Sequence, residues 1–481
     1  MRRITRESDI QELSKDAGML TLRPSDAFVA ESDTDVLAVL GDARRRGLSV
    51  TPRGGGTSIP SQAVGRGVIL LQQRSAAVLE EGAVRCGPSK VKADLNRELD
   101  PHGRWVPPDP SSYETCTVGG MVANNSSGTR TFKYGSTVDY VKELRVVLPE
   151  EGAKTIRAMP MDDATGADPT TRRVASLILE NQSAIQEEKP NVTKNSCGYR
   201  LEKVVRGGIF DLPKLFVGSE GTLGVVTDIT FAAPPKPMSR ALLIVETSLD
   251  GLDRVVGTFR RLKPSAIELV DKSVFRQTGM EGRLKSLSRT EEEYLVFCEV
   301  DGAGKDDAER ALELAAESEM AGYEPLALSD PGEVAAASGV RNEILTLAQD
   351  IRVGARAFLP GVEDLVVPPD RLGDLVALLR GQFESRGLQY ISYGHAGDAN
   401  LHMRPLLDPG SPAERRMLEE IMEECYEEVW RMGGSITGEH GDGMLRARYV
   451  SRQYPKTHAL MKQIREAYDP KELLSPGVKI V

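Results

Sequence analysis

Thr117-Val-Gly-Gly-Met-Val-Ala-Asn-Asn-Ser-Ser-Gly128 is a run of small residues whose backbone donors and side-chain amides can lie flat against a ring system and a pyrophosphate. Pro107-Pro-Asp-Pro-Ser-Ser112 stands just before it and Lys133-Tyr-Gly-Ser-Thr-Val-Asp-Tyr-Val141 just after. Farther along, Phe216-Val-Gly-Ser-Glu-Gly-Thr-Leu-Gly-Val-Val-Thr227 sets another glycine-rich turn before an apolar strand. Upstream, Pro52-Arg-Gly-Gly-Gly-Thr-Ser58 follows a short strand over Leu48–Pro52 and offers consecutive N–H groups with no side chains in the way, as a diphosphate requires. Glycine runs also occur in plain turns, and this one lacks the G-x-G-x-x-G spacing of a Rossmann loop. Its weight comes from the company of the other segments.

Together these segments resemble the FAD-linked oxidases of the vanillyl-alcohol oxidase and p-cresol methylhydroxylase superfamily, over about residues 18 to 480. Within it the chain resembles the D-lactate, glycolate and D-2-hydroxyglutarate dehydrogenases. The resemblance implies an α+β fold. A two-part FAD-binding domain over 1–237 would be followed by a ferredoxin-like α+β substrate domain with an antiparallel sheet over 238–435, and a segment over 436–481 would return to complete the site. It further implies that Arg53, Gly54, Gly55, Gly56, Thr57 and Ser58 cradle the FAD diphosphate. Pro108, Asp109, Pro110, Ser111, Val118, Gly119 and Gly120 would line the flavin, and Asn124, Ser127, Gly128, Glu220, Gly224 and Val225 would complete the cleft. Covalent relatives carry a histidine where this chain has Thr57, so the FAD is expected to be held without a covalent link.

Composition bounds the partners. A net charge of −10 and an aromatic share of 5% leave neither a basic surface nor a stacking platform for nucleic acid. Cys86, Cys116, Cys197, Cys298 and Cys425 stand far apart, without the close spacing an iron–sulfur cluster needs, and read as reduced thiols of a cytoplasmic protein. The N-terminal residues show no signal-peptide h-region, and no run of ~18 apolar residues reads as a membrane span. The expectation is a soluble protein, able to dock at a membrane complex or to form a homodimer.

Ser32 to Gly47 reads as a capped helix, and Ala232-Ala-Pro-Pro-Lys-Pro237 as a linker. Beyond the linker, strands are expected over Arg240–Thr247, Glu293–Val300 and Tyr390–Gly394. Helices are expected over Leu249–Leu262, Asp306–Met320, Arg371–Arg386 and Glu414–Met432.

The chain has five histidines, and three fall in two glycine-rich segments, Tyr393-Gly-His-Ala-Gly-Asp-Ala-Asn-Leu-His-Met-Arg404 and Gly433-Gly-Ser-Ile-Thr-Gly-Glu-His-Gly-Asp-Gly443. On one straight strand His395 and His402 would lie ~23 Å apart on opposite faces, and on a helix ~10 Å apart. Gly397-Asp-Ala-Asn400 is turn chemistry, so the chain can fold back and bring both rings to one side. Glu439 is the candidate third ligand; two imidazoles and a carboxylate suit zinc, manganese or ferrous iron. Alternatively the histidines merely satisfy loop backbone, or His440 packs in a core.

The family resemblance implies that His395, His402 and Glu439 hold a divalent metal while His440 stands next to the substrate hydroxyl as general base. The activity implied is oxidation of a small D-2-hydroxy acid by hydride transfer to flavin N5, with electrons passed to a separate iron–sulfur subunit, an electron-transfer flavoprotein or a quinone. Arg341 in Ser338-Gly-Val-Arg-Asn-Glu-Ile344 resembles the family's carboxylate-binding arginine, with a solvated helix charge as the plainer reading. Departures matter here: Leu345 and Val362 stand where D-2-hydroxyglutarate dehydrogenases have a threonine and a lysine, and Ser475 replaces a common asparagine. Ala355–Pro369 resembles the branch paired with an iron–sulfur module, which leaves Arg356 or Arg404 to serve the substrate. Competing readings are an oxygen-using oxidase, an alkyl-glycerone-phosphate-synthase-like reaction without metal, and a non-catalytic flavin subunit of a glycolate oxidase-like complex.

Overall fold

The computed structural model describes residues 1–304, 323 and 325–481, without the side chains of residues 345, 346 and 348–350. The helix expected over Asp306–Met320 lies outside the described residues, as does the side chain of Leu345.

Three sheets organise the chain. The first has four strands in the order Arg2–Arg3, Asp26–Ala30, Val68–Gln72, Val50–Pro52, the last three parallel. Parallel neighbours need a crossover, supplied by the helix Asp33–Arg45. Ser32 caps that helix by accepting from the Asp35 N–H at 3.1 Å, acids fill the first turn, and Arg44 and Arg45 fill the last. Val36, Val39, Leu40 and Ala43 recur at helical spacing and pack on Phe28, Val50 and Leu70. Val50–Pro52 ends where the first glycine cluster begins, so that cluster emerges from the carboxyl end of a parallel strand.

The second sheet has seven strands, with every pairing antiparallel. Its third strand, Val225–Ala232, alternates buried and half-buried side chains, the period of a sheet covered on one face. Val225 and Val147 reach the core of the first sheet, so the two pack as one unit.

Ala233–Met238 carry no strand, and the chain then enters a third, nine-stranded sheet, wider than a ferredoxin-like unit. Strands Ser239–Thr247, Tyr294–Gly302, Ala266–Asp271, Tyr390–His395 and Asn400–Leu407 are neighbours in that order, all antiparallel. One face packs on the helices Leu249–Arg261 and Leu372–Glu384 through Leu252, Val255, Phe259, Leu375 and Leu379. The other face takes the helix Pro331–Asp350 over Leu242, Ile244, Phe297 and Tyr393, by way of Val334, Ala337, Val340 and Ile344. After the helix Pro412–Arg431 the chain returns to the first sheet. Val50 donates to the Leu473 carbonyl and Ser475 donates to the Val50 carbonyl. Among the described residues no helix is long and apolar enough to cross a membrane.

Candidate functional site

A cavity of about 1340 Å³ runs from the first glycine cluster to the histidine-bearing strands. Of the residues the sequence assigns to the cofactor, Gly54, Gly55, Gly56, Thr57, Ser58, Asp109, Pro110, Ser111, Gly120, Asn124 and Ser127 line it. Two glycine segments meet there with their backbones almost in contact. A Cβ on Gly54 would stand 2.5 Å from Thr117 Oγ1, and one on Gly55 would stand 2.6 Å from the Thr115 carbonyl. Glycine is therefore required at both places, and the resulting trough of exposed backbone fits a bound dinucleotide.

Other assigned residues stand behind this wall. Arg53, Gly119, Glu220 and Gly224 border a smaller adjoining cavity of about 140 Å³, while Pro108, Val118, Gly128 and Val225 line neither. The Arg53 guanidinium donates to the carbonyls of Leu13 and Ala63, bracing the loop rather than facing the main cavity. Glu220 accepts from the backbone N–H groups of Asp442 and Gly443, both at 2.8 Å, and from Lys479 at 2.9 Å. The Asp109 carboxylate is taken by Arg130, which also holds Glu299 of the third sheet.

At the cavity's far end the strand Tyr390–His395 turns through Ala396–Asp398 and returns as Asn400–Leu407, with Ala399 left-handed at φ 50°. Tyr393 pairs with His402, and His395 with Asn400, so both imidazoles leave the same face with ring centroids 5.2 Å apart. Glu439 meets them: its Oε1 lies 3.1 Å from His395 Nε2 and 3.3 Å from His402 Nε2. His440 follows, with its Nε2 3.8 Å from the same oxygen and its Nδ1 3.8 Å from both Glu363 Oε1 and Asp364 Oδ2.

Burial lowers the pKa of His395 well below the imidazole range, with help from the Lys194 charge, and burial also lowers that of His402. Both rings are thereby neutral, the form that ligates a metal. Burial would raise Glu439, but Lys194 and His395 overcome it and hold the carboxylate well below its usual range. His440 moves the other way, because Asp364, Glu363 and Glu439 outweigh its desolvation.

Several residues of the site carry no sequence signal that singled them out. Lys194, fully buried, donates to Glu439 Oε2 and to the Gly128 carbonyl, both at 3.0 Å, which leaves Oε1 to the imidazoles. Glu268 accepts from His395 Nδ1 at 2.7 Å and also from Arg341. Asp364 lies close enough to His402, Glu439 and His440 to form a second possible cation set. It already accepts from the backbone N–H of Glu439 and His440, from Thr437 Oγ1 and from Asn400 Nδ2, so it is a support for Glu439 and His440. Arg341 borders the cavity, but its guanidinium is engaged by Glu268, Thr129 and Asn342 and is pushed down to about 10 by burial. Val362 is buried, and Arg356 is an exposed side chain paired with Glu414 at 2.8 Å.

A backbone trough for a dinucleotide, open at one end to a buried histidine–carboxylate cluster, is the layout of a flavin-dependent oxidoreductase. The chain belongs to the FAD-linked oxidases: the family described as "FAD linked oxidases, C-terminal domain" matches residues 235–478, and an FAD binding domain matches residues 24–156. It is 30% identical to the D-2-hydroxyglutarate dehydrogenase of Pseudomonas putida over 93% of this chain and 47% of that protein. It is 28% identical to the D-lactate dehydrogenase of Archaeoglobus fulgidus over 98% of this chain and 95% of that one. The chain thus spans about half the length of the first D-2-hydroxyglutarate dehydrogenases it matches. Among solved structures, p-cresol methylhydroxylase with substrate bound superposes with a TM-score of 0.71 at 12% identity, covering 100% of this chain and 94% of that one, a likeness of fold.

Proposed function

We propose that the chain oxidises a small D-2-hydroxy acid to the 2-oxo acid, using non-covalent FAD and a divalent cation, zinc or alternatively iron or manganese. The observation that carries this reading is the convergence of His395 Nε2, His402 Nε2 and Glu439 Oε1 inside the cavity that the glycine trough lines. When bound, FAD supplies a hydride acceptor at N5 and the cation supplies Lewis acidity toward the substrate hydroxyl and carboxylate.

This chain's own groups do the rest. His395, His402 and Glu439 hold the cation, and Lys194 and Glu268 fix two of them by taking the Glu439 and His395 atoms that face away. His440 takes the hydroxyl proton at Nε2, while Glu363 and Asp364 lie on its Nδ1 side and steady the charged ring. The same carboxylates raise the pKa of His440 and so favour the imidazolium that proton transfer leaves.

In this reading the electrons collected on the flavin pass to an acceptor such as an iron–sulfur subunit, an electron-transfer flavoprotein or a quinone. A cytoplasmic location belongs to this reading, in keeping with five buried, unpaired thiols.

Anaerobic mixing with a panel of D- and L-2-hydroxy acids should bleach the flavin with at least one D-acid, and metal analysis should find about one cation per chain. Glu439→Gln should lose the cation. His440→Asn should keep FAD and cation but reduce the flavin about 10³-fold more slowly. A cation-free wild type that bleaches at full rate would end the proposal.

A further inference from the structure

Arg404 lies two residues beyond His402 on the strand Asn400–Leu407, so the two side chains leave the sheet on the same face, with Arg404 opposite Ile391 and His402 opposite Tyr393. It is 5% exposed and borders the large cavity. Its Nε is enclosed without a hydrogen-bond partner, and among the described residues its guanidinium makes no hydrogen bond or ion pair. A guanidinium has five donors and keeps its charge, so leaving one buried and unmatched is costly. Of the other arginines that line this cavity, Arg341 is matched by Glu268, Arg130 by Asp109 and Glu299, and Arg97 by Asp94 and Glu114. The Arg240 guanidinium has no hydrogen bond or ion pair among the described residues, but Arg240 is only half-buried and lies on the strand Ser239–Thr247, separated by three strands from the strand that carries His402 and Arg404. Glu363 feels the Arg404 charge, but its Oε1 is given to Arg446. Arg356, the alternative on sequence grounds, points into solvent and is paired with Glu414.

We infer that Arg404, rather than Arg341 or Arg356, is the anchor for the substrate carboxylate. This rests on the reading of the site as one for a 2-hydroxy acid and names the residue that recognises its charge. A planar guanidinium next to His402 on one strand face offers paired N–H donors to a carboxylate whose hydroxyl end lies toward the His395, His402 and Glu439 cluster. The site therefore selects a carboxylate over a neutral isostere of the same size.

The test is equilibrium binding, read by calorimetry on protein loaded with FAD and zinc, with oxalate as anionic probe and glycolamide as neutral probe. In Arg404→Met oxalate should bind about 50-fold more weakly, the scale of losing one partner of a buried charge pair, and in Arg404→Lys about 10-fold more weakly. Glycolamide binding should change less than about threefold in both variants, and guanidinium ion in solution should restore oxalate binding to Arg404→Met. Oxalate binding within about threefold of wild type in Arg404→Met, equal weakening of both probes, or no oxalate binding by the wild type would each overturn the assignment. If no D-2-hydroxy acid bleaches the wild-type flavin while the oxalate difference persists, the oxidation reading falls and Arg404 stands as an anion anchor.

Discussion

Lys92 carries its amine into the interior, fully buried, where the Nζ donates to the Val106 carbonyl at 2.6 Å and lies 5.1 Å from the centre of the Tyr113 ring. Burial pushes its pKa down to about 7, although Asp109 pulls the other way. A lysine whose folded pKa is depressed contributes stability that is present above its unfolded pKa, about 10.4, and lost as pH falls through the folded value. Lys92→Met should consequently gain on the wild type as pH falls from 10 toward 6, by a few kcal/mol at the low end. Val106 keeps a donor in Asn96 Nδ2 at 3.2 Å, so the substitution does not orphan the carbonyl. Thermal melts of both proteins across that range would show parallel curves if the amine were charged throughout.

At the same scale, what could be read from sequence and what could not divides along contact range. Glycines 54 to 56, Asn124 and Ser127 were legible as lining of the cavity because that role is local: small residues in close succession expose backbone. Lys194 was not, because the group that gives it meaning, Glu439, is 245 residues away. The Arg341 position was legible on a helix beside the site, but its engagement by Glu268, 73 residues earlier, was not. Arg404 was one of two open choices, and only the three-dimensional matching of charges separates it from Arg356.

Among elements, the hairpin Tyr390–Leu407 was the part of the site most open to sequence, since turn residues between two apolar runs force the chain back on itself and a register with Tyr393 opposite His402 follows. The Glu439–His440 loop is different, because its shape comes from another element. Asp364, left-handed at φ 78° and fully buried, gathers Thr437 Oγ1 at 2.6 Å and the backbone N–H groups of Glu439 and His440 at 3.0 and 2.8 Å. Its neighbours Val362, Leu365, Val366 and Val367 are all buried, so two acids inside an apolar run were the available clue. Asp364→Ala would leave several enclosed donors unmatched, each costing about 1–3 kcal/mol. The loop should then fail to present Glu439, and cation affinity should drop about 10- to 100-fold, the usual range for a lost supporting group. Flavin content should stay near wild type, because Asp364 does not border the trough. Metal titration of the purified variant decides this: unchanged affinity would mean that the loop holds its shape without Asp364.

Over the whole molecule, the histidine cluster and the dinucleotide trough are built on different sheets, and two buried charge networks tie them together. Arg130 joins Asp109 beside the trough to Glu299 of the third sheet at 2.7 and 2.6 Å. Lys479 joins the other side: its Nζ, fully buried, donates to Glu220, to Asp442 and to the Ser196 carbonyl, each at 2.9 Å. Asp442 is three residues past Glu439, so this amine sets where the Glu439–His440 loop stands relative to the first two sheets. Removing it leaves two carboxylates buried with only backbone donors, Gly198 N–H for Asp442 and the Asp442 and Gly443 N–H groups for Glu220. Breaking a buried pair by deleting one partner typically costs about 3–5 kcal/mol. Lys479→Met should therefore lower the melting temperature and release FAD and cation in parallel, where Asp364→Ala releases the cation alone. Adding Glu220→Gln to Lys479→Met removes one of the stranded charges and should recover part of the melting temperature, because the amide oxygen can still accept from one of the two loop N–H groups. Co-purifying flavin and metal, measured beside the melt, give the decision: a Lys479→Met protein that keeps both at wild-type levels would show that the two sheets hold their relation without this amine.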